Sequence, residues 1–350
     1  MPEAISKPLI TAIIPTYHRP KLLRRAIGSV LAQTYPHLRV CVYDNASGDE
    51  TPSVVDEMAR TDCRIKYYCH HVNVGALKNF VYGMDRVETP FFSILSDDDV
   101  LLPGFYQTAL AGFEKYPEAM LSALVTIHMD DKGRVLDAPM LKWPPGLYRP
   151  PEGLLAMLRY RHPEWTGILF QREVIEKVGG LDEEAGGTSD LDFELRAAAR
   201  FPLVVTLQPG AIFVSHPASQ CSTADVDLMW PGWLKMIRNL VEDEQIPEGV
   251  RRYASQVLTD RAKKYLFLNG LRSVTRGNWE DAYKSAEFLR NHYHLKGRAL
   301  MLQASATAGR NVPLAQNVFR LMPALRKLVL RIKNRRLQKE YGAYATELEL

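Results

Sequence analysis

The sequence predicts an α/β fold: a Rossmann-like, mostly parallel sheet with helices on both faces, followed by an all-helical C-terminal region. Three observations predict it. Strand patterns alternate with helix patterns over the first 115 residues, the order expected of a parallel sheet covered on both sides. Thr16, Asp44 and Asp97 fall at the ends of successive strand patterns, so they would share the carboxyl edge of the sheet, where open α/β sheets bind ligands. From about Asp225 the periodicity is helical, interrupted by Pro231, Pro247, Gly277, Gly309, Pro313 and Pro323.

The elements follow in order. Ile10 to Pro15 is a continuous apolar run and reads as a buried strand, closed by the turn Pro15-Thr16-Tyr17-His18-Arg19-Pro20. Pro20 opens a helix in which Leu22, Leu23, Ala26, Ile27, Val30 and Leu31 recur at helical spacing. Val40 to Tyr43 is the next strand and ends at the turn cluster Asp44 to Asp49. A helix from Thr51 to about Arg60, a strand at Ile65 to Cys69 and a helix from Asn73-Val74-Gly75 to about Met84 come next. Phe91 to Leu95 is aromatic and branched, hence a strand, and Pro103 is placed to open the following helix. Leu121 to His128 reads as a strand with a hairpin turn at Asp130 to Gly133, and the Pro-rich stretch 137–151 as a loop over the site. Trp165 to Phe170 reads as a strand and Arg172 to Val178 as a short helix stopped by Gly179-Gly180. A helix at Asp190 to Arg200 and separate strands at Leu203–Leu207 and Ala211–Val214 complete this part, ending at Ser215-His216-Pro217.

Composition is that of a globular protein, with 46% hydrophobic and 24% charged residues over 350 positions. A net charge of +4 is too weak to imply nucleic acid. Cys41, Cys63, Cys69 and Cys221 form no CxxC pair and read as reduced residues of a cytosolic protein. Met1 to Pro8 lacks the apolar core of a signal peptide, and no apolar run approaches a membrane span, so a soluble or peripheral protein is expected.

The stretch Asp97-Asp98-Asp99 stands at the end of the Phe91 strand. Three adjacent anions repel, and the local sequence offers no Lys or Arg to relieve them. A divalent cation would do so, since Mg²⁺ and Mn²⁺ favour oxygen ligands and commonly bridge carboxylates to a phosphate. A solvated acidic turn at a helix start is the alternative reading. No GxGxxG follows the first strand, which removes the dinucleotide oxidoreductases.

Residues 9 to about 220 resemble the family 2 glycosyltransferases. The resemblance rests on Ile13-Ile14-Pro15-Thr16-Tyr17, Ser29-Val30-Leu31-Ala32-Gln33-Thr34, Asp44 to Asp49, Asn73-Val74-Gly75, Asp97-Asp98-Asp99 with Pro103, Gly179-Gly180-Leu181-Asp182-Glu183, and Asp190. It implies the GT-A fold and transfer of a sugar, with inversion, from a nucleotide-diphosphate donor, typically a UDP-sugar, to an acceptor hydroxyl. Carried over by position, Pro15, Thr16, Tyr17, Arg19, Asp44, Lys78 and Asp97 would serve the donor. Asp98 would bind Mn²⁺ or Mg²⁺ with Asp99 and His216, and Asp190 would be the catalytic base. Read from the residues alone, Asp190 is a helix N-cap. His18 stands where many relatives have Asn, and Ser189 where many have Glu. The domains implied are a catalytic domain over 1–222, with a donor half to about 115 and an acceptor half beyond it, and a helical region over 223–350.

Trp143 and Trp165 are the expected acceptor-side residues, facing a glycan or a lipid-linked glycan. The Gln-x-x-Arg-Trp motif of processive synthases is absent, which favours single addition. A nucleotidyltransferase would carry a Gly-rich basic loop where Pro15 to Pro20 stands, and a non-catalytic relative would not need both Asp98 and Asp190. Between Arg320 and Glu340 the chain has eight basic residues and one acid, with Leu321, Leu325, Leu328, Val329 and Ile332 at helical spacing. That segment either lies in the interface of the inner membrane leaflet or packs on the protein with a solvated basic face. The basic run has no interleaved aromatics, so nucleic acid is not an expected partner.

Overall fold

The computed structural model describes residues 9–216, 226–312 (Leu228 by its backbone only), 315, 317, 319, 321, 329, 332 and 334–349. One ten-stranded sheet organises the N-terminal part. Its strands are β1 (Ile10–Thr16), β2 (Leu38–Asp44), β3 (Ile65–Cys69), β4 (Phe91–Ile94), β5 (Val100–Leu101), β6 (Leu121–Asp130), β7 (Val135–Asp137), β8 (Gly146–Tyr148), β9 (Ile168–Gln171) and β10 (Leu203–Ser215). The order is β3-β2-β1-β4-β9-β6-β10-β5, with β7 beside β6 and β8 beside β10. The pairs β3–β2, β2–β1, β1–β4 and β6–β10 are parallel, while β9 lies antiparallel between β4 and β6. Every residue of β1 is buried, as a central parallel strand covered on both faces requires.

The period-2 alternation of the strands sorts their side chains into two cores. Ile13, Cys41, Tyr43 and Ile94 enter one, and Ile10, Ala12, Ile14, Val40 and Val42 the other. On the second face lie α1 (Pro20–Leu31), α2 (Thr51–Thr61) and α4 (Phe105–Lys115), through Leu23, Ile27, Val30, Val55, Phe105 and Leu110. On the first lie α3 (Ala76–Met84), α5 (Glu152–Arg159), α6 (Glu173–Val178) and α7 (Ser189–Arg200). Gly83 lets α3 approach β1 closely, since a Cβ there would come within 2.7 Å of Ile13.

The C-terminal helices α8 (Val226–Glu242), α9 (Glu248–Arg276), α10 (Trp279–Asn291) and α11 (Lys296–Asn311) extend the first core. Trp230, Met236, Leu240, Leu258 and Leu266 are buried in the same cluster as the sheet residues. The expected boundary near residue 222 falls outside the described residues. Arg261 Nη2 donates to the carbonyls of Met157, Leu158 and Tyr160, tying α9 to the end of α5. Asn239 of α8 donates to Asp182 at 2.8 Å and to Asp192 at 2.9 Å. Among the described residues no helix is long and apolar enough to cross a membrane.

Several expectations need correction. The two strands expected at 203–214 are one strand, β10, whose register against β6 shifts on both sides of Pro209. Proline has no ladder donor, so the strand bulges there and continues. Pro103 does not open a helix; Gly104 caps α4 with φ 86, a conformation glycine tolerates. The expected strand at Trp165 begins with a 3₁₀ turn, Trp165–Gly167, before β9. The 137–151 loop contains a 3₁₀ turn at Pro139–Lys142 and the strand β8. Of the basic segment, α12 (Arg335–Tyr341) packs against the β6–β7 hairpin, where Gln338 Oε1 accepts the Val135 N–H at 2.8 Å. Arg320, Arg326, Lys327, Arg331, Lys333, Leu325 and Leu328 lie outside the described residues, as does Cys221; Leu321, Val329 and Ile332 are exposed.

Candidate active site

The sheet edge predicted to hold the site does bring its residues together. Thr16 of β1 pairs with Asp44 of β2, and Ile13 pairs with Ile94 of β4, so all three strands end side by side. After β4 the chain makes one tight turn, closed by the Asp99 N–H donating to the Ser96 carbonyl at 3.0 Å. That turn carries the three aspartates, and they have three different environments.

Asp97 Oδ2 accepts from the Thr16 hydroxyl at 2.8 Å, and its Oδ1 from Arg19 at 3.0 Å. Burial pushes its carboxyl up to about 6, against the pull of Arg19. Asp98 Oδ2 meets both Arg19 Nη1 at 3.0 Å and His216 Nε2 at 2.8 Å. Arg25 adds a hydrogen bond to the Asp98 carbonyl at 2.6 Å. The run therefore has cationic relief after all, delivered by the fold: Arg19 caps α1 and Arg25 lies one turn and a half further on. Arg25 was not among the expected residues, and no local signal marks it.

Asp99 corrects the expectation of a third metal ligand. It is fully buried, its Oδ2 accepts from Thr166 at 2.8 Å and its Oδ1 from the Val214 N–H at 2.9 Å. Burial and the neighbouring Asp98 hold its carboxyl well above the usual range. It is a clamp between the acidic turn, the Trp165–Gly167 turn and β10.

Asp44 also differs from expectation. It is buried, and its oxygens accept from the Ser47 N–H at 3.0 Å, the Ser47 hydroxyl and the Tyr67 hydroxyl at 2.6 Å. It orders the β2–α2 loop rather than presenting an open carboxylate to a base. That loop is tied to its neighbours: Ser47 Oγ accepts the His18 N–H at 2.9 Å, and Asn45 Oδ1 accepts the Val74 N–H at 2.8 Å. His18 and Ala46 sit at positive φ, 54 and 60, which non-glycine residues adopt uncommonly. Tyr17 is 42% exposed at the rim, Pro15 is buried in β1, and Lys78 is exposed on α3.

Asp190 lies in the first turn of α7, whose cap is Thr188 rather than Asp190 itself. Its Oδ1 accepts the Leu191 N–H at 2.7 Å. Burial raises its carboxyl, the Leu191 N–H and the charge of His162 lower it, and Glu164 raises it. Around it lies a group sequence reading missed: Glu194, four residues on in α7, with His162, Glu164 and His128. Glu164 stands two residues from Thr166, so the Asp99 clamp and the Asp190 cluster are joined by one short turn.

Of the two tryptophans expected on the acceptor side, Trp143 is 1% exposed and its indole N–H donates to the Arg161 carbonyl at 2.8 Å. It is a core residue, as large apolar rings usually are. Trp165 is partly buried with its ring 4.9 Å from Phe80.

A divalent cation fits this edge in a limited sense. Asp98 and His216 supply one carboxylate and one imidazole at a common point, a pair compatible with Mn²⁺ completed by phosphate and water. Among the described residues no group of three acidic, His or Cys side chains is placed to hold a metal.

The profile of glycosyl transferase family 2 matches residues 11–179. A GalNAc(5)-diNAcBac-PP-undecaprenol beta-1,3-glucosyltransferase of Campylobacter jejuni is 36% identical over 104 residues, 29% of this chain and 34% of that protein. The match thus spans about a third of the length of that protein and of the next three curated relatives, from Rickettsia prowazekii, Haemophilus influenzae and Rickettsia typhi, at 31–34%. Among solved structures, Staphylococcus aureus TarS 1–349 in complex with UDP-GlcNAc superposes with a TM-score of 0.63 at 15% identity, covering 86% of this chain and 91% of that 1–349 fragment. The mannosyltransferase PcManGT of Pyrobaculum calidifontis, in complex with GDP-Man and Mn²⁺, gives 0.53 at 17% identity, covering 99% of this chain and 87% of its own. These two likenesses establish the GT-A fold.

Proposed function

Residues 11–179 place the chain in glycosyl transferase family 2, and from that premise we propose that it is an inverting, metal-dependent glycosyltransferase that moves one sugar from a UDP-sugar to an acceptor hydroxyl. The observation that carries the reading is the convergence of Asp97, Asp98, Arg19 and His216 at one sheet edge, joined through the Asp99 clamp to a partly buried Asp190. Thr16, Tyr17 and Arg19 line the donor side. Asp98 and His216 would hold Mn²⁺ or Mg²⁺, which when bound neutralises charge developing on the departing diphosphate.

Asp190 takes the proton of the acceptor hydroxyl as its oxygen bonds to the anomeric carbon. The bond from that carbon to the β-phosphate oxygen breaks, and the nucleoside diphosphate leaves with the electron pair. A single displacement inverts the configuration and needs no covalent sugar–enzyme intermediate. A lipid-linked glycan is the proposed acceptor, in line with the undecaprenol-linked substrate named for the Campylobacter relative. Contact with anionic lipid through the cationic segment 320–340 would bring the chain to such an acceptor, and synthesis of a cell-surface glycan is the setting proposed for it.

The test is a thermal-shift panel of UDP, GDP and their sugars with and without Mn²⁺, followed by donor hydrolysis on the ligands that bind. Expected is a shift with UDP compounds that depends on the cation, and release of UDP. No shift with any nucleotide sugar would overturn the reading. Release of pyrophosphate from a nucleoside triphosphate and a sugar phosphate would replace it with a nucleotidyltransferase.

A further inference from the structure

Beside Asp190 lies a largely part-buried group of ionisable side chains that the transfer reaction above does not use. His162 follows α5 and its Nδ1 sits 3.2 Å from Glu194 Oε2 while reaching the Pro163 carbonyl at 2.8 Å. Glu194 is 2% exposed, and that same Oε2 has no hydrogen-bond partner among the described residues. Glu164 is 3.1 Å from His128 Nε2 of β6 and 3.7 Å from Arg161. Glu194 lies four residues beyond Asp190 in α7, one helical turn away on the same face. His162 is thus in contact with Glu194 of α7 and within electrostatic reach of Glu164 in its own turn and of Asp190 in α7, while Glu164 in turn faces His128 and Arg161.

Three carboxylates in so little space cannot all be charged without a cation among them. His128 is shared with Glu164 at the far side, and Arg161 reaches out to Asp137. His162 is the cation at the centre. We propose that His162 is a positioning residue, an imidazolium held between Glu164 and Glu194 that keeps the neighbouring Asp190 carboxylate ionised to accept the acceptor's proton. The inference rests on Asp190 being the base.

The electrostatics agree in direction. Burial alone would pull His162 down, but the Glu194 and Glu164 charges carry it up to about 9. Burial pushes Glu194 up to about 8, against the pull of the His162 hydrogen bond and charge. Glu164 is driven to about 2, burial being overcome by His128, His162 and Arg161. Each charge nearest Asp190 then has a sign: His162 lowers its pKa and Glu164 raises it. Loss of His162 should raise the Asp190 midpoint, and the acid limb of the pH–rate profile should move to higher pH with it.

The experiment is an NMR titration of the full chain labelled with ¹³C at aspartate side chains and at histidine rings, with Asp190→Asn and His162→Gln identifying the two signals. In the native chain the His162 midpoint should lie well above the ordinary 6.5. His162→Gln should raise the Asp190 midpoint by about one unit, the scale of a single near charge, and His162→Lys should restore it. A native His162 that titrates at or below 6.5 overturns the proposal whether or not any variant folds. So does an unmoved Asp190 midpoint in folded His162→Gln. With UDP-GlcNAc as donor probe, the acid limb of kcat/KM should follow the Asp190 midpoint. If UDP-GlcNAc and the other UDP-sugars are not turned over at all, the functional reading fails while the titration still decides this one.

Discussion

Asp98 and Asp99 are adjacent in sequence and opposite in environment. Asp98 faces the edge with Arg19 and His216 on one oxygen; Asp99 faces inward with both oxygens taken. Their substitutions should therefore separate. Asp98→Ala should abolish sugar transfer and the Mn²⁺-dependent part of nucleotide binding, with the melting profile of the free protein little changed. Activity that persists in that variant, or in excess chelator, refutes the metal assignment. Asp99→Leu should instead unfold more easily, because the Val214 N–H and the Thr166 hydroxyl are left buried and unmet at about 1–3 kcal/mol each. Asp99→Asn keeps an acceptor and should cost under about 1.5 kcal/mol, while Mn²⁺-dependent binding survives; denaturant unfolding reads the difference. Asp190→Asn retains shape without basicity, so kcat should fall by about a hundredfold or more with donor affinity unchanged. The three roles were only partly legible. A run of three aspartates announces a charged turn, but which one points inward depends on Thr166 and Val214, 67 and 115 residues away.

At the level of elements, the local signals carried what local physics controls. Period-2 strands, period-3.6 helices and the turn clusters gave β1 to β4 and α1 to α3 in order, because these depend on neighbours in the chain. The failures share a cause. Pro209 looks like a strand end, yet β10 runs through it because β6 supplies a partner on both sides of the bulge. Trp143 looks like an acceptor-side residue in a Pro-rich loop, yet the Arg161 carbonyl and the core claim it. His162 and Glu164 carried no motif, and only the packing of their turn against α7 reveals them. The α8 helix shows how closely that neighbourhood is set. A Cβ on Gly232 would lie 2.0 Å from the Ala185 carbonyl oxygen, in the turn that leads into α7. Gly232→Ala should therefore push α8 off that turn, costing about 1–3 kcal/mol in stability as overpacking does. It should also reduce kcat more than donor affinity, since the displaced turn leads directly into the start of α7 at Asp190 and leaves the Asp97–Asp98 edge untouched. Wild-type stability and kcat in that variant would mean α8 adjusts without moving α7.

Over the whole molecule, charge and apolar surface are unevenly spread toward the C-terminal helices. The stretch Lys296–Asn311 contains Lys296, Arg298 and Arg310 and no acid. Leu300 and Met301 on it are 64% and 53% exposed. Further along, Leu321, Val329 and Ile332 are exposed as well, in a segment with eight basic residues between Arg320 and Glu340. Exposed apolar side chains amid cations suit a membrane surface bearing anionic headgroups, where each Lys or Arg contributes about 1 kcal/mol. The packing of α12 on the β6–β7 hairpin supports the other reading of this region for its last turns. The two readings predict different salt behaviour. If the surface docks on lipid, the full chain should sediment with phosphatidylglycerol vesicles and not with phosphatidylcholine. Binding should then fall steeply between low salt and about 0.5 M, as screening shortens the reach of surface charge. Leu300→Ser with Met301→Ser should weaken it further without altering donor hydrolysis in solution. Failure to sediment with either vesicle at low salt would leave this face a solvated helix surface, and the acceptor would then have to reach the Asp190 side of the site from solution.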